Sequence, residues 1–187
     1  MLAMAGVAGA LTGGWLPSTS SPGLTAPVDV RDLGGDASNL SPGNEGSFYA
    51  DVSVSSTGAL AFWATGSPAN ALVDGSVRGQ GVELSVSRCS VAWVWRGGGS
   101  GRCPGDGEIL LAPGLVSTMS SGSEAVTLPG TLDAGEVAHL RIAVTLVADE
   151  TSVNGVPSPG GLEGLTTTLT YDFGRVPFSR VSAQRSR

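Results

Sequence analysis

Apolar and polar residues alternate with a period of two along most of this chain. Phe48, Ala50, Val52 and Val54 point one way, and Tyr49, Asp51, Ser53 and Ser55 the other, which is the pattern of a strand buried on one face. Ser56-Thr57-Gly58 turns the chain, and Leu60, Phe62 and Ala64 begin a second strand that Gly66-Ser67-Pro68 ends. Val82, Leu84 and Val86 mark a third. The parity then changes: Val91, Trp93 and Trp95 share a face at odd numbers. A slip of one residue moves every side chain to the other face, so a bulge or bend near Arg88–Ser90 is expected to restore the core. A short apolar run at 109–116 is broken by Pro113-Gly114, and 125–128 reads as a brief strand.

The clearest strand covers 136–148. Ala138, Leu140, Ile142, Val144 and Leu146 line one face; His139, Arg141 and Thr145 line the other. The last strand sets Leu165, Thr167, Leu169, Tyr171 and Phe173 against Thr166, Thr168, Thr170 and Asp172. No window carries a helical period, and a turn or two near 68–73 is the best place for one. Seven to nine short strands with Gly/Pro turns predict an all-β fold, an antiparallel β-sandwich. One internal echo supports two of the strand starts. Leu40-Ser-Pro-Gly43-Asn44 precedes Phe48, Ala50, Val52 and Val54 at the same offsets at which Leu132-Asp-Ala-Gly135-Glu136 precedes Leu140, Ile142, Val144 and Leu146.

Composition agrees with strands and turns. The chain has 187 residues, which fits one domain. Charged residues are 14% of it, and 29 Gly and 11 Pro punctuate it, so its polar character comes from Ser, Thr and Gly. That mixture disfavours helices. The basic residues are all Arg, and the net charge is −6, which argues against a nucleic-acid surface.

The ends bear on compartment. Met1 to Leu16 has no charged side chain and is apolar or small throughout. It is shorter than the about 20 residues a membrane span needs and reads as the hydrophobic part of a secretory signal, with Ala8-Gly9-Ala10 as a cleavage pattern. Residues 1–35 are therefore read as signal remnant and extended lead-in, with at most a short strand near Val28–Val30. Residues 36–174 are read as the sandwich. Residues 175–187, with Arg175, Arg180, Arg185 and Arg187, are read as a solvated tail. The mature form is expected outside the cell, secreted or at its surface, and free of the membrane. Cys89 and Cys103 enclose the glycine-rich Arg96–Arg102 stretch. An even cysteine count in an exported chain predicts a disulfide between them.

Candidate chemistry is sparse. His139 is the only histidine; it faces outward on the strand reading and is expected to be solvated, with nothing nominating a nucleophile beside it. Asp106-Gly-Glu108 lacks the alternating oxygen ligands of a calcium loop and reads as a solvated turn. Gly97-Gly-Gly-Ser-Gly101 is not followed by Lys-Ser or Lys-Thr and reads as a flexible loop tip rather than a phosphate cradle. No catalytic residue, metal site or cofactor is expected. Trp93 and Trp95 have two readings. Buried, they are core beside the disulfide, the commoner fate of large aromatics in sandwiches. Exposed, they and Trp63 could form a platform on which sugar rings stack.

The order of these elements resembles a known family. Leu40-Ser-Pro-Gly43 through Ser56-Thr57-Gly58-Ala-Leu60 gives a turn, a strand and a T-G-x-L turn. Val82–Trp93, with its cysteine, is followed by a second cysteine after the Gly-rich loop. Leu132–Ile142 and Leu165–Tyr171 complete the series. Over residues 37–173 this is similar to the TasA/camelysin family of exported proteins with a SipW-type signal peptide, in its actinobacterial branch. The resemblance implies a jelly-roll-like sandwich and a non-catalytic structural protein, such as a biofilm-matrix fibre subunit that assembles by strand addition. The family's aromatic-aspartate segment after the signal is not recognisable in 15–27. The extended segment Leu11 to Val30 would be the donor, with Leu16, Leu24, Val28 and Val30 docking on a neighbour's sheet edge. The expected partners are thus further copies in a filament; the alternative is a module that binds carbohydrate or cell-wall glycan.

Overall fold

The computed structural model describes residues 28–37, 40–96, 100–120, 125–148, 162 and 165–176. Among the described residues are ten strands and one short helix: β1 (Val28–Asp36), β2 (Glu45–Val54), β3 (Ala59–Ser67), β4 (Gly81–Cys89), β5 (Val94–Arg96), β6 (Ser100–Arg102), β7 (Gly107–Leu115), α1 (Val116–Ser120), β8 (Val126–Thr127), β9 (Val137–Val147) and β10 (Thr168–Val176). The expected all-β sandwich is what forms. A five-stranded sheet runs β1-β2-β9-β4-β7, a three-stranded sheet runs β10-β3-β8, and β5-β6 is a separate hairpin. The pairings are antiparallel.

The core lies between the two larger sheets. Val52, Val86, Leu140 and Val144 from one sheet and Phe62, Ala64 and Phe173 from the other are buried in it. These are positions that period-two alternation assigned inward. Phe62 and Phe173 face each other across β3 and β10, with ring centroids 5.3 Å apart. Phe48 of β2 meets Tyr171 of β10 at 5.9 Å, which ties the sheets together. Phe62 and Phe173, both fully buried, contribute about 1.5–3 kcal/mol each.

The internal echo has a structural counterpart. Gly43 and Gly135 both have φ of 79°, a left-handed conformation that glycine adopts without steric cost. The Gly43 N–H donates to the Leu146 carbonyl, at the far end of β9. Gly135 N–H donates to the Val54 carbonyl, at the far end of β2. Each turn thus pins the end of the other strand, and β2 and β9 pair along their length.

Four expectations need correction. First, β1 extends from Val28 to Asp36, and Val28 and Val30 lie opposite Val54 and Val52 of the same chain. The boundary drawn at residue 36 therefore cuts a strand of the sandwich. Second, β10 continues through Arg175 and Val176, so Arg175 is not in a solvated tail; its Nη1 donates to the Thr57 carbonyl at 3.2 Å. Third, Pro113-Gly114 does not end β7. As the edge strand, β7 tolerates a missing N–H, and it absorbs the strain in register shifts opposite Leu84–Ser87. Fourth, the helix is α1, directly after β7, where Val116 and Met119 enter the core; residues 71–73 form only a turn.

Candidate functional site: the stapled hairpin on the outer sheet face

Beyond Cys89 the chain leaves the five-stranded sheet. The parity change at Val91–Trp95 is resolved by this departure and not by a bulge that returns the tryptophans to the core. β5 and β6 fold back as a hairpin over the outer face of the sheet. A Cys89–Cys103 disulfide holds it there, with Cα atoms 5.6 Å apart. At the hairpin's base, Ser90 N–H donates to the Asp106 carbonyl and Asp106 N–H donates to Ser90 Oγ, both at 2.9 Å. Of the Gly97–Gly101 stretch read as a flexible tip, 97–99 fall outside the described residues, and Ser100 and Gly101 are instead part of β6, paired with Arg96 and Trp95.

Tyr49 lies beneath the hairpin. Alternation assigned it to the solvent side of β2, yet it is only 1% exposed. Trp93 and Trp95 meet it from the hairpin at centroid distances of 5.2 and 4.8 Å, with interplanar angles of 66° and 76°. These are edge-to-face contacts of the kind that aromatic quadrupoles favour. Neither tryptophan is in the central core: Trp93 is half-buried and Trp95 is exposed. The core reading of this pair is thereby corrected. Trp63 does not join them. It lies on β3 of the other sheet, opposite Asp172, and is half-buried.

Register places a polar row beside the aromatic cluster. Arg31, Asp51, His139 and Cys89 are directly opposite one another across β1, β2, β9 and β4. His139 Nδ1 and Asp51 Oδ1 are 2.6 Å apart, with side chains 19% and 18% exposed. His139 is therefore engaged and half-buried, not solvated. On its other side stands Cys89, whose sulfur is committed to the disulfide. In the next row Tyr49, Arg141, Ser87 and Ile109 are aligned. Arg141 Nε donates to Ser47 Oγ at 3.0 Å, and its Nη2 donates to Glu45. Of the weak calcium candidates, Glu108 pairs with Arg88 at 2.8 Å, and Asp106 is held through its backbone by Ser90.

Of the proposed donor-strand residues, Val28 and Val30 are part of this chain's own sheet, and Leu16 and Leu24 lie outside the described residues. The signal reading of 1–16 and Arg180, Arg185 and Arg187 of the tail also lie outside them. Among the described residues no group of three His, Cys, Asp or Glu is gathered as metal ligands, and no helix is long and apolar enough to cross a membrane.

The sequence did not nominate Tyr49, Asp51 or Gly101. Gly101 is the one whose signal was present, a glycine between two cysteine-flanked segments, but its purpose depends on a partner 52 residues away. No protein-family model matches this chain, and no curated protein matches it.

Proposed function

We propose that this chain is a non-catalytic structural protein, exported to the cell surface or the extracellular matrix. The observation that carries the reading is the Cys89–Cys103 disulfide clamping an aromatic hairpin on the outside of the sandwich. Structural disulfides persist in oxidising compartments. The clamp holds a rigid surface outward instead of closing a cleft. The row that comes nearest to catalytic chemistry, Asp51–His139–Cys89, has its thiol tied up in that same bond, which supports a non-catalytic role.

Assembly into a matrix fibre by strand addition is part of this proposal, with one restriction. Val28 and Val30 already pair with β2, so a donor segment would have to precede Val28. Cell fractionation tests export: with thiols blocked at lysis, the protein should be recovered from medium or wall with its two cysteines bonded. Recovery from the cytoplasm with both thiols free would overturn the reading. Electron microscopy of the exported protein, against a version beginning at Val28, tests the fibre. Filaments from both versions would eliminate a donor segment before Val28.

A second reading, a glycan-binding module, is favoured by the exposure of Trp95 on the clamped hairpin.

A further inference from the structure

One row of residues crosses the whole five-stranded sheet on its outer face. Arg31, Asp51, His139, Cys89 and Gly107 stand opposite one another on β1, β2, β9, β4 and β7. Directly opposed residues of an antiparallel pair have Cβ atoms about 4.5–5.5 Å apart. Gly107 has no side chain, so His139 is the side chain that flanks Cys89 within the row. Asp51 lies 2.6 Å from His139 Nδ1 and orients the ring, which leaves Nε2 as the nitrogen for chemistry. The nearby cations are placed elsewhere. Arg31 lies beyond Asp51, and Arg141, further along β9, is held by Glu45 and Ser47.

The two sulfurs of the disulfide are not equivalent. Cys89 is 1% exposed and belongs to a strand paired on both sides. Cys103 is half-buried, just beyond the end of β6. Gly101 and Gly105 stand two residues to either side of it, and its neighbour Arg102 is exposed.

We propose that this bond is exchangeable: Cys103 is a site of reversible modification by a low-molecular-weight thiol, and His139 assists the departure of Cys89. The incoming thiolate attacks Cys103 Sγ. A new S–S bond forms there, the Cys89–Cys103 bond breaks, and its electron pair leaves with Cys89 Sγ. The imidazolium of His139 gives its Nε2 proton to that sulfur, while Asp51 keeps the Nδ1 proton. Closure is the reverse: His139 takes the Cys89 proton, the Cys89 thiolate attacks Cys103, and the small thiolate departs. Each direction conserves the number of disulfides, so exchange consumes no other reductant or oxidant and runs in oxidising surroundings.

Exchange is faster where the attacked sulfur is accessible and the departing thiolate is stabilised, and a neighbouring imidazolium stabilises a thiolate. The glycines and Arg102 beside Cys103 suit a small, negatively charged attacker. Opening removes only the covalent tie. Tyr49 keeps its bonds to Gly101, and Ser90 keeps its bonds to Asp106. These hold the two sulfurs within reach of each other, so the opened form recloses once the small thiol is removed.

The test treats the oxidised full chain with β-mercaptoethanol, quenches at intervals with iodoacetamide and maps both labels by peptide mass. In the first product the small thiol is expected on Cys103 and the alkyl group on Cys89. His139→Gln should slow opening about tenfold, and Asp51→Asn should slow it less. The sign separates assistance from a merely structural role, because a loosened hairpin opens faster. Tyr49→Phe supplies that comparison and should open at least as fast as the wild type. Near-ultraviolet circular dichroism checks the aromatic packing of each oxidised variant. The small thiol on Cys89, a bond that opens only in denaturant, or His139→Gln opening as fast as the wild type would overturn the proposal. The first two outcomes are read on the wild type and decide the matter even if His139→Gln does not fold. None of them bears on export, which fractionation decides separately.

Discussion

Tyr49 and Gly101 exchange two hydrogen bonds. The Gly101 N–H donates to Tyr49 Oη at 2.8 Å, and that hydroxyl donates to the Gly101 carbonyl at 3.3 Å. A phenol rooted in β2 thus satisfies both backbone groups of a residue in β6. The approach needs glycine: a Cβ at position 101 would stand 2.8 Å from Tyr49 Cε1, closer than side-chain carbons pack.

Two substitutions separate these contributions. Tyr49→Phe keeps the rings against Trp93 and Trp95 and removes both hydrogen bonds. It should cost about 1–2 kcal/mol, read by urea unfolding, while the near-ultraviolet aromatic signal stays largely intact. Gly101→Val should cost more and weaken that signal, because the hairpin has to lift from the ring. Equal stability of the Val variant and the wild type would refute this close packing of Gly101 on Tyr49.

Removing the disulfide should act on the same hairpin by another route. The two cysteines are 14 residues apart, and closing a loop of that size restricts the unfolded chain by about 3 kcal/mol on the entropic account. Cys103→Ser should lose stability of that order. Far-ultraviolet circular dichroism should barely change, since β5 and β6 contribute three residues each and the two larger sheets close the core without them. Collapse of the whole β signal would mean that the hairpin is part of the folding core.

These two experiments probe what the sequence left hidden. The alternation of Val52, Leu140 and Val86 was legible because a half-buried strand repeats every two residues whatever its partner. Tyr49 was assigned to the correct side of β2, but its burial there is made by chain 52 residues further on, and nothing local announces a cover. β1 was nearly missed for a similar reason. Arg31-Asp-Leu-Gly-Gly35 has no alternation, and its strand is imposed by the ladder that β2 offers. His139 looked solvated because strand reading gives a face, not a neighbour; Asp51 is reached only through the β2–β9 register. The cysteine pair was legible because its logic is count and compartment, which need no geometry.

Asp172 is the place where an ionised side chain should lower stability. It is half-buried beside Trp63. Burial raises its pKa above the usual 3.8, opposed in part by the Phe173 N–H that donates to its Oδ1. With the folded-state value raised, the native protein holds this proton more tightly than the unfolded chain does. The penalty is absent below the unfolded pKa and grows as pH rises past it. Asp172→Asn keeps an oxygen for the Phe173 N–H and removes the charge. A modestly higher Tm is expected at pH 7 and no difference at pH 3. A variant less stable at pH 7 would show that the carboxylate gains more from its surroundings than burial costs it.

Tyr171 should set the alkaline limit of the fold. Burial, and then the negative charge of Asp32, push its pKa from the usual 10 up to about 12. Its ring packs against Phe48 at 5.9 Å and Phe173 at 6.2 Å, where β1 and β10 approach each other. Between about pH 10 and 12 the unfolded chain gives up this proton while the native protein keeps it. The unfolded state then binds fewer protons, so stability falls as pH rises. The slope is at most about tenfold in the folding equilibrium constant per pH unit for one proton. Tyr171→Phe should remove this part of the alkaline loss while keeping the ring contacts. Asp32→Asn should shrink it, closing the window from its upper end, by bringing the phenol back toward its usual value. Phenolate absorbance in the folded protein supplies the check, since Tyr171 should ionise only near the upper end of that range. A Tyr171→Phe variant that loses stability above pH 10 as steeply as the wild type would place the alkaline limit elsewhere.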